Sequence, residues 1–178
     1  MLNILSKEKL NVSNINTLNN SIVVVLLATI LLSISSRIFI PIGVVPITTQ
    51  TLAAYIIGFY LKPSESFFTG ISWILLGISG VPVFAPGFVS PLTCPSFGYI
   101  IGMVFGMPLM KKSNNIIISC IICYFVTHLL GSIWLYNFLH SWDLVFKYGI
   151  FPFVIGECFK TAIVFGISKV EIKKIIAL

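Results

Sequence analysis

The chain has 178 residues, of which 57% are hydrophobic and 9% charged, and its mean hydropathy is +1.05. Soluble domains run at roughly 45–50% apolar and 25% charged, so the composition excludes an ordinary soluble domain and fits one compact integral membrane bundle. The net charge of +6 does not point to nucleic acid, because the basic residues stand at segment ends rather than in one patch.

Residues 1–20 are rich in Asn and Ser and carry Lys7, Glu8 and Lys9; they read as a polar tail. A signal peptide is a weaker reading, since the apolar run after Ser21 exceeds an ordinary h-region and no clear Ala-x-Ala site closes it. Six apolar stretches follow, at about 22–40, 46–61, 66–84, 92–110, 116–139 and 150–168. Each approaches the ~20 residues of a spanning helix, the second and third being short. None alternates as a membrane barrel requires. The expected fold is therefore all-α: a six-helix transmembrane bundle over 21–168, between an N-terminal tail (1–20) and a basic C-terminal tail (169–178).

In the first stretch, Ala28, Thr29, Ser33 and Ser36 form a small-residue side suited to docking a partner helix, and Arg37 stands near its end. Between the first two stretches come Pro41, Gly43 and Pro46; between the third and fourth come Gly80, Pro82, Pro86, Gly87, Pro91 and Pro95. Proline interrupts helices, and these two segments carry no charge, so they are expected to fold back over the bundle, the alternative being well-packed turns. Gln50, near the start of the second stretch, needs a hydrogen-bond partner in a membrane, and the threonines beside it could cap the helix. Gly98, Gly102 and Gly106 line one face of the fourth stretch, where a neighbouring helix can approach closely. Tyr99 beside them suits a pocket wall or an interfacial anchor.

Cys94, Cys120, Cys123 and Cys158 are scattered through apolar sequence and read as buried thiols. His128 and His140 read as packed or interfacial, without metal-ligand spacing. The sixth stretch holds the most informative string, Gly156-Glu157-Cys158-Phe159-Lys160. Charges at bilayer depth are costly and face a partner or a ligand, and residues three apart share a helix face. Glu157 and Lys160 can neutralise one another and can also grip a polar solute. At 1.5 Å per residue from Ile150 they lie about 10 and 15 Å in, in the outer half to the middle of the bilayer.

Lys7, Lys9, Lys62, Lys111, Lys112, Lys169, Lys173 and Lys174 all fall on one side of a six-helix arrangement, and Lys147 is in a loop on the other. The positive-inside rule then places both termini in the cytosol. No phosphate-cradling loop, nucleophile elbow or zinc-protease string is present, so an enzyme reading has little support.

Four strings occur in an order known from one family: Val45-Pro46-Ile47-Thr48 with Gln50-Thr51-Leu52; Gly80-Val81-Pro82-Val83-Phe84-Ala85; Pro95-x-x-Gly98-Tyr99-x-x-Gly102; and Gly156-Glu157-x-x-Lys160. The chain resembles BioY proteins, the biotin-specific substrate-binding (S) components of energy-coupling-factor (ECF) transporters. The family pattern has Asp where this chain has Glu157, and Gly-Pro-Thr-Gly-Gly-Tyr where it has Cys94-Pro95-Ser96-Phe97-Gly98-Tyr99. The Ala-x-x-x-Ala docking pattern of the first helix is here Ala28, Leu32, Ser36. The resemblance implies a multi-pass protein of the bacterial plasma membrane, surrounded by lipid, that takes biotin from outside. It also implies a transmembrane coupling subunit and a cytosolic ATPase pair as partners, and no cofactor. Glu157 would accept ureido N–H bonds, Lys160 would meet the ureido oxygen or the carboxylate, and Phe84, Tyr99 and Gln50 would complete the site. The other readings are an S component for another small vitamin or precursor, and a membrane enzyme or assembly factor.

Overall fold

The computed structural model describes the backbone of residues 2–41, 43–86 and 90–176, and the side chains of 18–41, 43–86 and 90–170. The protein is mostly helical. In chain order come α1 (Leu2–Arg37), a two-strand hairpin of β1 (Phe39–Ile40) and β2 (Ile47–Thr48), α2 (Gln50–Tyr60), α3 (Pro63–Ile78) and α4 (Phe97–Leu109). Then follow α5 (Ile116–Leu139), the short α6 (Trp142–Val145), a π turn over Phe146–Ile150, and α7 (Phe151–Ile176).

The helix limits follow from local chemistry. Pro63 opens α3, where a missing N–H costs nothing, and the Glu65 carboxylate accepts the Lys62 backbone N–H at 3.1 Å. Asn115 caps α5 by accepting from the N–H groups of Ile117 and Ile118 at 2.9 and 3.4 Å, a preferred N-cap role. His140 ends α5 in the left-handed region, at φ 50°.

Among the described residues, three helices are long and apolar enough to cross a membrane: Leu18–Arg37, Ile116–Leu139 and Trp142–Val170. The second, third and fourth expected stretches form helices of only 11, 16 and 13 residues. At 1.5 Å per residue an 11-residue helix reaches about 16 Å, against a hydrocarbon core of about 30 Å. The expected starts at 46 and 92 were too early: Ile47–Thr48 pair with Phe39–Ile40 as a strand, and α4 begins only at Phe97, beyond Pro95, before which helical backbone is disfavoured. The sixth stretch errs the other way. Lys147 is not in a loop but in the π turn that joins α6 to α7, so the helical run reaches back to Trp142. Glu157 and Lys160 therefore stand near the middle of that run. At the chain's ends, α1 and α7 continue through the expected polar tails; the side chains of 1–17 and 171–178, Lys7, Lys9, Lys173 and Lys174 among them, lie outside the described residues.

The core gathers Leu32, Tyr55, Ile57, Trp73 and Met107 from α1 to α4, and Met110 from the turn after α4. The glycine stripe of α4 packs on α5, where a Cβ on Gly102 would stand 2.6 Å from Thr127 Cα. That is the close packing expected of Gly98, Gly102 and Gly106. The small-residue side of α1 is also turned inward. Ala28, Thr29 and Ser36 are buried and Ser33 is half-buried, with α2 and α3 of the same chain as neighbours. Ala28, Thr29 and Ser36 thus pack within the chain. The outward surface is apolar: Ile155 and Phe159 on α7 are 82% and 69% exposed, as a lipid-facing stripe requires. Cys120 and Cys123 are buried as expected, whereas Cys94 is half-buried and Cys158 is exposed on the outer face of α7.

Candidate functional site

The two proline-rich segments and helices α2, α4, α5 and α7 enclose a cavity of about 190 Å³. Its lining includes Val45, Pro46, Thr48 and Gln50 from the first segment and the start of α2, and Phe84, Pro86 and Pro95 from the second. The segments thus fold over the bundle. Gly87 falls among residues 87–89, outside the described residues.

Side chains from the helices hold these segments in place. Trp73 donates its indole N–H to the Val83 carbonyl at 3.1 Å, and Trp134 to the Cys94 carbonyl at 3.0 Å. Ser36 donates to the same Val83 carbonyl at 2.6 Å, and Arg37 to the carbonyl of Pro82. Irregular backbone in a membrane protein needs such internal partners. The hairpin turn uses Gly43 at φ 67°, with the Tyr148 ring against it.

The charged pair stands in the cavity wall. Lys160 Nζ lies 2.7 Å from Glu157 Oε1, with the side chains 10% and 5% exposed. Thr51 Oγ1 donates to Glu157 Oε1 at 2.6 Å and accepts from Lys160 Nζ at 2.6 Å. Tyr55 donates its hydroxyl to Glu157 Oε2 at 2.7 Å. Thr51 and Tyr55 are one turn apart on α2, and Glu157 and Lys160 nearly one turn apart on α7, so two helix faces meet through four polar side chains. A buried ion pair persists only when further hydrogen bonds satisfy it, and Thr51 and Tyr55 supply them.

Capacity remains. An ammonium has three donors, and Lys160 spends two of them on Glu157 and Thr51. A carboxylate oxygen accepts about two bonds, and Oε2 receives one, from Tyr55. The pair can therefore offer one further N–H and one further acceptor position, which suit a ligand that carries both a carbonyl and an N–H.

The other residues expected to meet the ligand, Gln50, Phe84 and Tyr99, lie in the same lining. Gln50 is buried, its side-chain oxygen accepting from the Thr48 hydroxyl at 3.0 Å. Thr48 Oγ1 also accepts the Gln50 backbone N–H at 3.3 Å, so one threonine serves both the helix start and the amide. Phe84 stands edge-on to Trp73, ring centroids 5.0 Å apart. Tyr99 is a pocket wall rather than an interfacial anchor: it is buried, donates its hydroxyl to the Gly149 carbonyl at 2.9 Å and stacks on Phe153 at 6.0 Å. Phe97, at a glycine position of the family pattern, is buried edge-on to Trp134 at 5.9 Å and is not in the lining. Sequence reasoning missed that Tyr55 joins the charged network and that His128, packed as expected, lines the cavity. Tyr55 could have been found four residues after Thr51 on a helix face opposite the charges. His128 gave no spacing signal, being a lone polar residue in an apolar helix.

Comparison with known proteins fits this geometry. The sequence model of the BioY family matches residues 7–177. The chain belongs to the BioY family. "Biotin transporter BioY2" of Lactococcus lactis subsp. cremoris is 34% identical over 169 residues, which cover 88% of this chain and 93% of that protein. "Probable biotin transporter BioY" of Rickettsia prowazekii is 34% identical over 130 residues, covering 67% of each. The crystal structure of the S-component for biotin from an ECF-type ABC transporter superposes with a TM-score of 0.70 at 25% identity, covering 92% of this chain and 94% of that one. The BioY fold is thus shared along nearly the whole chain, which is a membrane protein with a transport rather than a catalytic role.

Proposed function

We propose that the protein binds biotin in the cavity and delivers it for import as the substrate-specific subunit of an ECF transporter. The observation that carries this reading is the buried Thr51–Tyr55–Glu157–Lys160 network in the cavity wall. Its spare donor and acceptor match one edge of a cyclic urea, and charge-assisted bonds make the match strong. Phe84, Tyr99 and Phe153 offer apolar and aromatic surface to the thiophane ring and the alkyl chain, and Gln50 adds a polar contact.

In this reading the chain crosses the bacterial plasma membrane six times. The short α2, α3 and α4 complete their crossings through the proline-rich segments, which cover the outer mouth of the site. Lys62 and the Lys111–Lys112 pair mark the cytosolic turns, and both termini are cytosolic. The chain carries no phosphate-cradling loop, so transport against a gradient would draw on a transmembrane coupling subunit and a pair of cytosolic ATPases. Titrating the detergent-purified protein with biotin and a panel of other vitamins tests the ligand. Saturable one-to-one binding of biotin alone is expected; binding of a different vitamin in preference to biotin would overturn the reading.

A further inference from the structure

His128 on α5 lines the cavity and is 5% exposed. Its Nδ1 lies 3.1 Å from the backbone carbonyl oxygen of Tyr124, one turn earlier. A carbonyl only accepts, so Nδ1 carries the proton of that bond, and the neutral ring keeps Nε2 as a bare acceptor. Among the described residues Nε2 is buried without a hydrogen-bond partner. The ring is held by its neighbours: Tyr124 at 4.0 Å between centroids, and Tyr99 and Phe153 edge-on at 5.4 Å each.

A buried acceptor left unpaired is costly, and a ligand that satisfies it gains that cost back as affinity and selectivity. What fits Nε2 is an N–H or O–H donor on the ligand. The charged pair already offers an acceptor for one N–H and a donor for the carbonyl beside it. A cyclic urea has a second N–H on the other side of that carbonyl, which neither Glu157 nor Lys160 has a further group to receive. We propose that His128 Nε2 accepts this second ureido N–H, making the site selective for a urea with both nitrogens unsubstituted. The inference rests on the biotin reading above.

The test pairs a residue change with a ligand change. Biotin, and biotin methylated at one or the other ureido nitrogen, are titrated into the purified parent, into His128→Phe, and into His128→Leu should the larger ring not be accommodated. Either variant is expected to bind biotin about 5- to 100-fold more weakly. Methylation at one nitrogen should weaken binding to the parent strongly and to the variant much less, because the bond it removes is already gone. A variant that binds biotin as tightly as the parent overturns the inference, as does a methylation penalty unchanged at both nitrogens. The unmodified protein supplies an independent reading: with 15N-labelled histidine, the His128 Nε2 resonance should move on adding biotin while that of His140 stays, and an unmoved His128 signal also overturns it. A parent that fails to bind biotin sinks the functional reading itself, whereas a parent that binds while the His128 variants behave like it sinks this inference alone.

Discussion

Glu157 accepts three hydrogen bonds, from Thr51, Tyr55 and Lys160, and is 4% exposed. Such a carboxylate is well held before any ligand arrives, which limits the reorganisation that binding demands. The network also sharpens the choice between a structural pair and a binding pair. If Glu157 and Lys160 only balance each other, removing one leaves an unpaired buried charge and lowers stability, while removing both restores stability and leaves binding intact. If they contact the ligand, a charged hydrogen bond of about 1.5–3 kcal/mol is lost with each. We expect Glu157→Gln and Lys160→Met each to weaken biotin binding by roughly ten- to a hundredfold. The double variant should elute as a folded species and still bind poorly; parent-like affinity in that folded double variant would show that neither side chain meets the ligand.

At the scale of elements, the α4–α5 contact positions Tyr99, Thr127 and His128 around the cavity. It depends on Gly102, where an added Cβ would meet the Thr127 backbone, which cannot rotate away. Gly166 on α7 has nothing within 4 Å of an added Cβ and serves as the control. Overpacking costs about 1–3 kcal/mol, and replacing a helical glycine by alanine returns up to about 1 kcal/mol. Gly102→Ala should therefore lower the thermal midpoint in detergent, and Gly166→Ala should leave it unchanged or raise it slightly. Equal midpoints for the two variants would mean that α4 and α5 do not approach this closely. The glycine spacing was legible in the sequence because a period of four marks one helix face. The lengths of α2 and α4 were not, because hydropathy does not separate helical from irregular apolar backbone. Only the prolines at 46 and 95 hinted at the boundary.

For the whole molecule, the orientation is the statement most open to direct measurement. Asn114 and Asp143 are both exposed, at opposite ends of α5. Single cysteines at these positions, in a background with the four native cysteines replaced, should differ in intact cells. A membrane-impermeant thiol reagent should label the position-143 cysteine and spare the one at 114. The reverse pattern would turn the site toward the cytosol and remove the case for uptake from outside.

Membrane residence, the site's charged pair and the family resemblance were all carried by local signals in the sequence. Apolar composition, two charges three residues apart in an apolar run, and four short strings do not depend on how distant segments meet. What only the tertiary structure decided were the partners. Thr51 and Tyr55 lie more than one hundred residues from Glu157 along the chain, and no periodicity links α2 to α7. The inward turn of Ala28, Thr29 and Ser36 likewise followed from which helices α1 met, since a small-residue face reads the same whether it docks its own chain or another. His128 is a further case: Tyr124 is a local partner one turn away on α5, and only the fold sets the ring in the cavity lining against Tyr99 and Phe153.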